Sequence, residues 1–351
     1  MSFTSALFIV AMVSDSGVIS RSRYAMYVWT TGWDSSIPGC DEGKFLTWDS
    51  TCTSHTWDTP AKRQWLWDTC NLPGREVDLI FLSDVHRPLE RGYLSNDCSL
   101  PEIQRIKTAL TEGHARVPDL KIYALYAVSD LPVSEQFLVK FVVWYNDICA
   151  ASAAERFDGI AVNNEAFSKI KCGKEKPIKT YLDNLMAVKK EAKKQANGVL
   201  KTHYSIGWHW GLQCSTGPAT SRLISWGGKR AKVTTHMIDI FDSVDAQVAY
   251  TRTSQVVERS KWADYDYAVT AGKPFYTTIY TNKGTACQTT YFPQSCPWGE
   301  KTEAAMFALF DSYPKDIEHA RPCIHYFRGI YSSGGHSDWP AHKQSRDVLV
   351  G

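Results

Sequence analysis

Residues 157 to 165 read Phe157-Asp158-Gly159-Ile160-Ala161-Val162-Asn163-Asn164-Glu165. This composition predicts a short buried strand whose polar groups gather at its C-terminal end. Side chains alternate across a strand, so Ala161, Asn163 and Glu165 share one face and Asn164 points to the other. A carboxyl beside a carboxamide at the end of an apolar strand is useful chemistry if that end opens on a cleft. Otherwise the strand merely runs into a polar loop, with Glu165 solvated.

Seven other apolar, β-rich runs surround this one: Tyr24–Thr30, Val77–Ser83, Lys121–Val128, Lys201–Trp208, Ser243–Tyr250, Pro274–Thr281 and Cys323–Ile330. Between several of them, apolar residues recur at three- and four-residue steps, which predicts helices over Pro101–Thr111, Ser134–Ala154, Ile178–Ala196, Ser254–Ala271 and Lys301–Tyr313. Ser134 suits an N-cap, and Gly198 and Gly272 suit C-terminal stops. Strand–helix alternation of this kind favours an α/β fold, a parallel sheet closed as a (β/α)8 (TIM) barrel with Phe157–Asn163 as its fourth strand. An open doubly wound sheet would usually carry a Gly-rich phosphate turn after its first strand, and Trp29-Thr30-Thr31-Gly32-Trp33 is not one. No Pro/Ser/Gly-rich linker divides the chain, so residues 21–351 are expected to form a single domain. The stretch from Gly32 to Arg75, rich in Trp and carrying three Cys, reads as an elaborated, disulfide-stapled loop after strand one.

A chain of 351 residues is long enough for such a barrel and for a large core. The net charge of +2 argues against nucleic acid or an anionic membrane as the main partner. The run Lys189-Lys190-Glu191-Ala192-Lys193-Lys194 reads as a solvated helix face. The N-terminal Ala6–Val13 is apolar and is followed by small and polar residues to Ser20, like a secretory signal over residues 1–20, though without a basic start; a buried N-terminal helix is the alternative. The ten cysteines, an even number, agree with disulfides and with a secreted, extracellular protein. Cys287 with Cys296, and Cys172 with Cys214, are candidate pairs. No Cys-x-x-Cys or His-x-x-x-His spacing suggests zinc, no cofactor is expected, and no Asn-x-Ser/Thr sequon is present.

In a (β/α)8 barrel the site forms at the C-terminal strand ends. Collecting polar and aromatic residues there gives Trp29 and Trp33, Asp84 and His86, Tyr126 and Asp130, Asn163, Asn164 and Glu165, Tyr204, Trp208, His209 and Trp210, Gln247 and Tyr250, Tyr280 and Asn282, and Arg328 and Tyr331. Carboxylates and aromatics on one rim suit a carbohydrate cleft, since Trp can stack on the apolar faces of sugar rings, although ordinary packing accounts for many Trp. Ser83-Asp84-Val85-His86 and His209 read as loop residues or as contributors to that cleft. His336 and Asp338 read as solvated.

At strand four the chain resembles the chitinase family of barrel glycosidases, whose motif there is Asp-Gly-x-Asp-x-Asp-x-Glu. The Asp-Gly matches Asp158-Gly159 and the final Glu, that family's general acid, matches Glu165; Ala161 and Asn163 replace the two middle Asp. The related endo-β-N-acetylglucosaminidases carry Asn-x-Glu at this position, as Asn163-Asn164-Glu165 does. Val248-Ala249-Tyr250-Thr251 resembles the chitinase Met-x-Tyr-Asp, with the Asp lost. The resemblance implies substrate-assisted hydrolysis of a 2-acetamido sugar, in which Glu165 is acid/base and Asn163 and Tyr250 orient the acetamido group. It implies substrate contacts from Trp29, Trp33, Asp84, Asp130, Asn164, Trp208, Trp210, Gln247 and Tyr280. The losses at Ala161 and Thr251 also allow a non-catalytic, chitinase-like lectin. Asn164-Glu165 is similar to the strand-four ending of two-carboxylate retaining glycosidases as well. Strand seven ends Tyr280-Thr281-Asn282-Lys283, however, with no carboxylate to serve as their nucleophile.

Overall fold

A computed structural model describes residues 24–28, 57, 60–71, 76–128, 135–166, 174–211, 223–248, 250, 252–280 and 320–325. Eight strands close into a parallel barrel: β1 (Tyr24–Val28), β2 (Val77–Leu82), β3 (Lys121–Val128), β4 (Gly159–Asn164), β5 (Lys201–Gly207), β8 (Ser243–Gln247), β9 (Phe275–Tyr280) and β10 (Ala320–His325). Each pairs in parallel with its neighbours, and β1 closes the ring against β10 through Ala25 opposite Cys323. A small antiparallel hairpin, β6 (Leu223–Trp226) and β7 (Lys229–Lys232), forms a separate two-stranded sheet. Its turn is Gly227-Gly228, with φ of 58° and 78°. Two consecutive positive φ angles suit a tight two-residue hairpin, and glycine adopts them without steric cost.

The eight expected runs are the eight barrel strands. The eighth begins three residues earlier than expected, at Ala320, and is described only to His325. The helices are α1 (Pro60–Cys70), α2 (His86–Ser95), α3 (Pro101–Arg116), α4 (Glu135–Trp144), α5 (Glu175–Ala192), α6 (Val233–Ile240), α7 (Thr253–Trp262) and α8 (Tyr265–Thr270). Two helix expectations need correction. The helix expected over Ser134–Ala154 ends as α4 followed by a π turn, Tyr145–Cys149. The one expected over Ser254–Ala271 breaks at Asp264, whose φ of 69° lies outside the helical region. The stretch between Gly32 and Arg75 is not all loop either, since it contains α1. Cys70 ends that helix as a buried free thiol, not a staple. The disulfide among the described residues joins Cys98, between α2 and α3, to Cys149 in the π turn. The signal-like residues 1–20, the helix expected over 301–313 and the pairs proposed for Cys172, Cys214, Cys287 and Cys296 lie outside the described residues.

Strand alternation sorts the core into two bodies. One set of side chains packs between strands and helices, including Ile80, Ile122, Ile160, Val162, Ile206 and Val244. The other fills the barrel, with Ala25, Tyr27, Leu79, Phe81, Tyr123, Leu125, Ala161, Tyr276 and Cys323 in contact. Gly159 is required by this second set. A Cβ there would lie 2.8 Å from the Tyr123 ring and from the Lys201 carbonyl.

The Asp158 carboxylate fastens the other, N-terminal end of β4. It accepts bonds from the Ile122 N–H (2.9 Å), His114 Nε2 (2.9 Å) and Lys121 Nζ (3.1 Å). Burial alone would raise its pKa, but His114 and the Ile122 N–H outweigh burial and hold it below the usual carboxylate range. Burial pulls His114 down, and Asp158 more than compensates, so the imidazole titrates above its ordinary value. A depressed acid loses its contribution as pH falls below about 4, and a raised His loses its own as pH climbs through its folded-state pKa, above about 6.5. Asp158→Asn is therefore expected to cost about 1–3 kcal/mol near pH 5.5 and less toward either extreme, read from urea melts across pH. A loss that stays constant from pH 3 to pH 8 would refute this coupling.

Candidate active site at the barrel mouth

The barrel interior is unequal around its circumference. From β1 to β4 the inward positions are almost wholly apolar or aromatic. From β5 to β10 polar side chains rise in ladders: His203 and Ser205 on β5, Ser243, Asp245 and Gln247 on β8, and Thr278 and Tyr280 on β9. Below Gln247 on β8 is Asp245, fully buried, with Tyr27 Oη 2.8 Å and His203 Nε2 2.9 Å from Oδ1, and Thr278 Oγ1 bonded to Oδ2. The other imidazole nitrogen of His203 meets Ser243 Oγ at 2.8 Å.

One layer above, the two walls meet. Gln247 Nε2 donates to Asn163 Oδ1 at 2.5 Å and to Ser205 Oγ at 3.1 Å. Tyr280 Oη approaches Gln247 Oε1 at 3.5 Å. Glu165, half-buried just past the end of β4, is bonded by the side chains of Gln247 and Asn163. Burial raises its pKa, and those two amide bonds offset the rise only in part. A carboxyl placed this way holds its proton to a higher pH than one in water, which is what a general acid needs. The neighbouring His325 is pushed down to about 4 by burial and so is neutral. Its ring stacks on Tyr280, with centroids 4.6 Å apart.

Asn163 and Glu165 do share the lumen face, and Asn164 turns away. Asn164 Oδ1 accepts the Ala166 N–H, and its carbonyl accepts the hydroxyls of Tyr181 (3.1 Å) and Tyr204 (3.0 Å), so Asn164 anchors the strand to the helix layer. Trp210 is likewise buried, stacked on Tyr181, and packs between barrel and helices. Tyr250 is placed apart from the Asn163–Glu165–Gln247 group. Its hydroxyl takes a 3.5 Å bond from Arg259, whose guanidinium also lies over Trp208 at 4.2 Å and Trp262 at 3.9 Å. Trp208, half-buried, stacks on His209 at 3.7 Å. Asp84, two residues past the end of β2, has a left-handed φ of 62°, a costly conformation for a non-glycine residue, and takes a 3.0 Å bond from Ser83. His86 packs edge-on against Tyr126. Trp29, Trp33, Asp130, Asn282, Arg328 and Tyr331 lie outside the described residues.

The sequence reading missed Asp245, His203, Ser205, Tyr27 and Thr278. A signal for several of them was present: Ser243-Val244-Asp245-Ala246-Gln247 and His203-Tyr204-Ser205 place a polar residue at every second position of a buried strand. Among the described residues, no group of three or more His, Cys, Asp or Glu could hold a metal ion.

No protein-family model matches the chain, and no curated protein matches it. Several solved structures resemble it. A GH18 chitinase from Pseudoalteromonas aurantia is 10% identical with a TM-score of 0.45, over 80% of this chain and 93% of its own. A protein assigned as an alpha-L-fucosidase, from Bacteroides thetaiotaomicron VPI-5482, is 11% identical with a TM-score of 0.47, over 91% of each chain. A protein assigned as a deoxyribose-phosphate aldolase, from Toxoplasma gondii ME49, is 10% identical with a TM-score of 0.42, over 90% of this chain and 91% of its own. Hydrolases and an aldolase stand side by side here, and at these identities none assigns a role to any residue of this chain.

Proposed function

We propose that the protein is a glycoside hydrolase that cleaves a glycan next to a 2-acetamido sugar, with Glu165 as general acid and then base. The observation that carries this reading is Glu165 itself: a carboxyl at the C-terminal mouth of a closed barrel, proton-retaining through burial and fixed in place by two amide side chains. Protonated Glu165 gives its proton to the glycosidic oxygen as that bond to the anomeric carbon breaks. The substrate's acetamido oxygen forms the new bond to that carbon. Water, deprotonated by Glu165, then opens the cyclic intermediate. One protein carboxyl suffices for this route, which fits a chain whose seventh strand leads into Thr281-Asn282-Lys283 without an acid. In this reading Asn163 and Gln247, bonded to each other beside Glu165, meet the acetamido group, with Tyr280 next to Gln247. The Cys98–Cys149 disulfide fits an oxidising compartment, in keeping with a secreted enzyme.

A second reading is a carbohydrate-binding barrel without turnover. It is favoured by Ala161, which puts a methyl group, not a carboxylate, beneath Asn163 on β4. Aryl glycosides separate the two readings. The enzyme is expected to release aryl groups from N-acetylglucosaminides at least about 10²-fold faster than from plain glucosides, the scale of a lost intramolecular nucleophile. Equal rates on both would refute substrate assistance. Binding of 2-acetamido oligosaccharides with no release, unaltered by Glu165→Gln, would establish the lectin.

A further inference from the structure

We propose that Asp245, although it lies too deep to meet a ligand, is the positioning residue that sets Glu165, acting through the chain Tyr27–Ser205–Gln247. The proposal rests on Glu165 as the functional carboxyl and adds what governs it from below.

The argument is one of hydrogen-bond direction. Tyr27 Oη donates to Asp245 Oδ1 at 2.8 Å, so the phenol proton goes to Asp245. Tyr27 Oη also lies 2.9 Å from Ser205 Oγ. The phenol has one proton for two acceptors, Asp245 Oδ1 and Ser205 Oγ; with that proton on Asp245, the Tyr27 oxygen is left to accept from the Ser205 hydroxyl. Ser205 Oγ, its own proton used, accepts from Gln247 Nε2 at 3.1 Å. The carboxamide of Gln247 is thereby oriented, with its nitrogen toward Ser205 and Asn163 and its oxygen toward Tyr280. Asn163 presents Oδ1 to that nitrogen and so turns its own NH2 to Glu165. An amide has no intrinsic preference between its two ends, and only the network decides which faces the carboxyl. Here the Asp245 acceptor turns the links from Gln247 through Ser205 and Tyr27 toward itself, and the Asn163 NH2 is left to face Glu165.

Three side chains hold the acceptor in place. His203 Nε2 and Tyr27 bond Oδ1, and Thr278 bonds Oδ2. The titratable groups facing this chain are Tyr280 beside Glu165, and Tyr27, His203, Cys323 and His325 around Asp245. Burial keeps the Tyr27 and Tyr280 phenols and the Cys323 thiol protonated and His325 neutral. On β4 the lumen residue beneath Asn163 is Ala161, so the carboxylate beneath the site comes from β8, two strands away.

If a link is cut, Gln247 is free to turn its oxygen toward Asn163 and Glu165, which disfavours the ionised carboxyl. The test is a carboxyl 13C NMR titration of protein labelled at glutamate Cδ, with the Glu165 signal assigned by its loss in Glu165→Gln. Ser205→Ala and Tyr27→Phe are each expected to raise the Glu165 pKa by about one unit, the scale of one hydrogen bond to an ionised group. Asp245→Asn, which keeps one acceptor oxygen for Tyr27, should raise it less, and Ser205→Thr, which keeps the hydroxyl, should leave the wild-type value. Folding is monitored by circular dichroism. An unchanged Glu165 pKa in folded Ser205→Ala and Tyr27→Phe would overturn the proposal. The titration uses no substrate, so its failure is distinct from a failure of the hydrolase reading, which only turnover assays address.

Discussion

Glu165→Gln is expected to lower kcat by about 10²–10⁴-fold on any substrate the protein turns over, the usual contribution of a positioned acid/base group. The substitution is nearly isosteric, and an amide can still accept from Asn163 and Gln247 through its oxygen. It cannot give up a proton to a leaving oxygen. Ligand affinity should therefore change little while turnover collapses. Stability offers an independent check. The folded-state pKa of Glu165 is raised. Between its unfolded value, near 4.3, and that higher folded value, the native state holds more proton than the unfolded state, and stability falls as pH rises. At neutral pH the native protein thus carries a penalty for ionising this group. Glu165→Gln removes it, and the variant should melt at or above the wild-type temperature. The same sign predicts that kcat/KM of the wild type declines as pH rises through the raised pKa. A variant that retains more than about a tenth of wild-type kcat would remove Glu165 from the chemistry.

Asp245→Ala is expected to cost on the order of 3–5 kcal/mol of folding stability, the largest loss we foresee from one lumen substitution. Asp245 is the acceptor for His203 Nε2 and Thr278 Oγ1 and, with Ser205 Oγ, one of two beside Tyr27 Oη. Each donor left dry in the barrel costs about 1–3 kcal/mol, and partial relaxation keeps the total below a simple sum. Asp245→Asn retains one acceptor oxygen and should lose less than half as much, which is why it serves the titration above. Chemical denaturation at pH 7 measures both. A loss below about 1 kcal/mol for Asp245→Ala would mean that water or rearranged side chains satisfy those donors.

The amino-acid sequence by itself determined the barrel. Eight apolar runs, separated by helical periodicities, can bury their hydrophobic faces only by lying side by side with helices outside, and strand alternation alone put Asn163 and Glu165 on one face of β4. Helix interruptions were not legible. The break at Asp264 and the π turn at Tyr145–Cys149 preserve the apolar spacing on either side, so periodicity runs through them. Nor could proximity be read from position along a strand. Tyr250 and Gln247 both lie near the end of one run, yet Gln247 reaches Asn163 while Tyr250 joins Arg259, because the chain leaves the sheet between them. Asp245 was visible as a polar residue in a buried strand, but its partners come from β1, β5 and β9, brought to one point only when the sheet closes. Closure is a long-range event, in which hydrogen bonds between strands far apart in sequence select which inward side chains face each other. Local spacing therefore specified the strands and the carboxyl at their mouth, whereas the hydrogen-bond network beside that carboxyl exists only in the closed barrel.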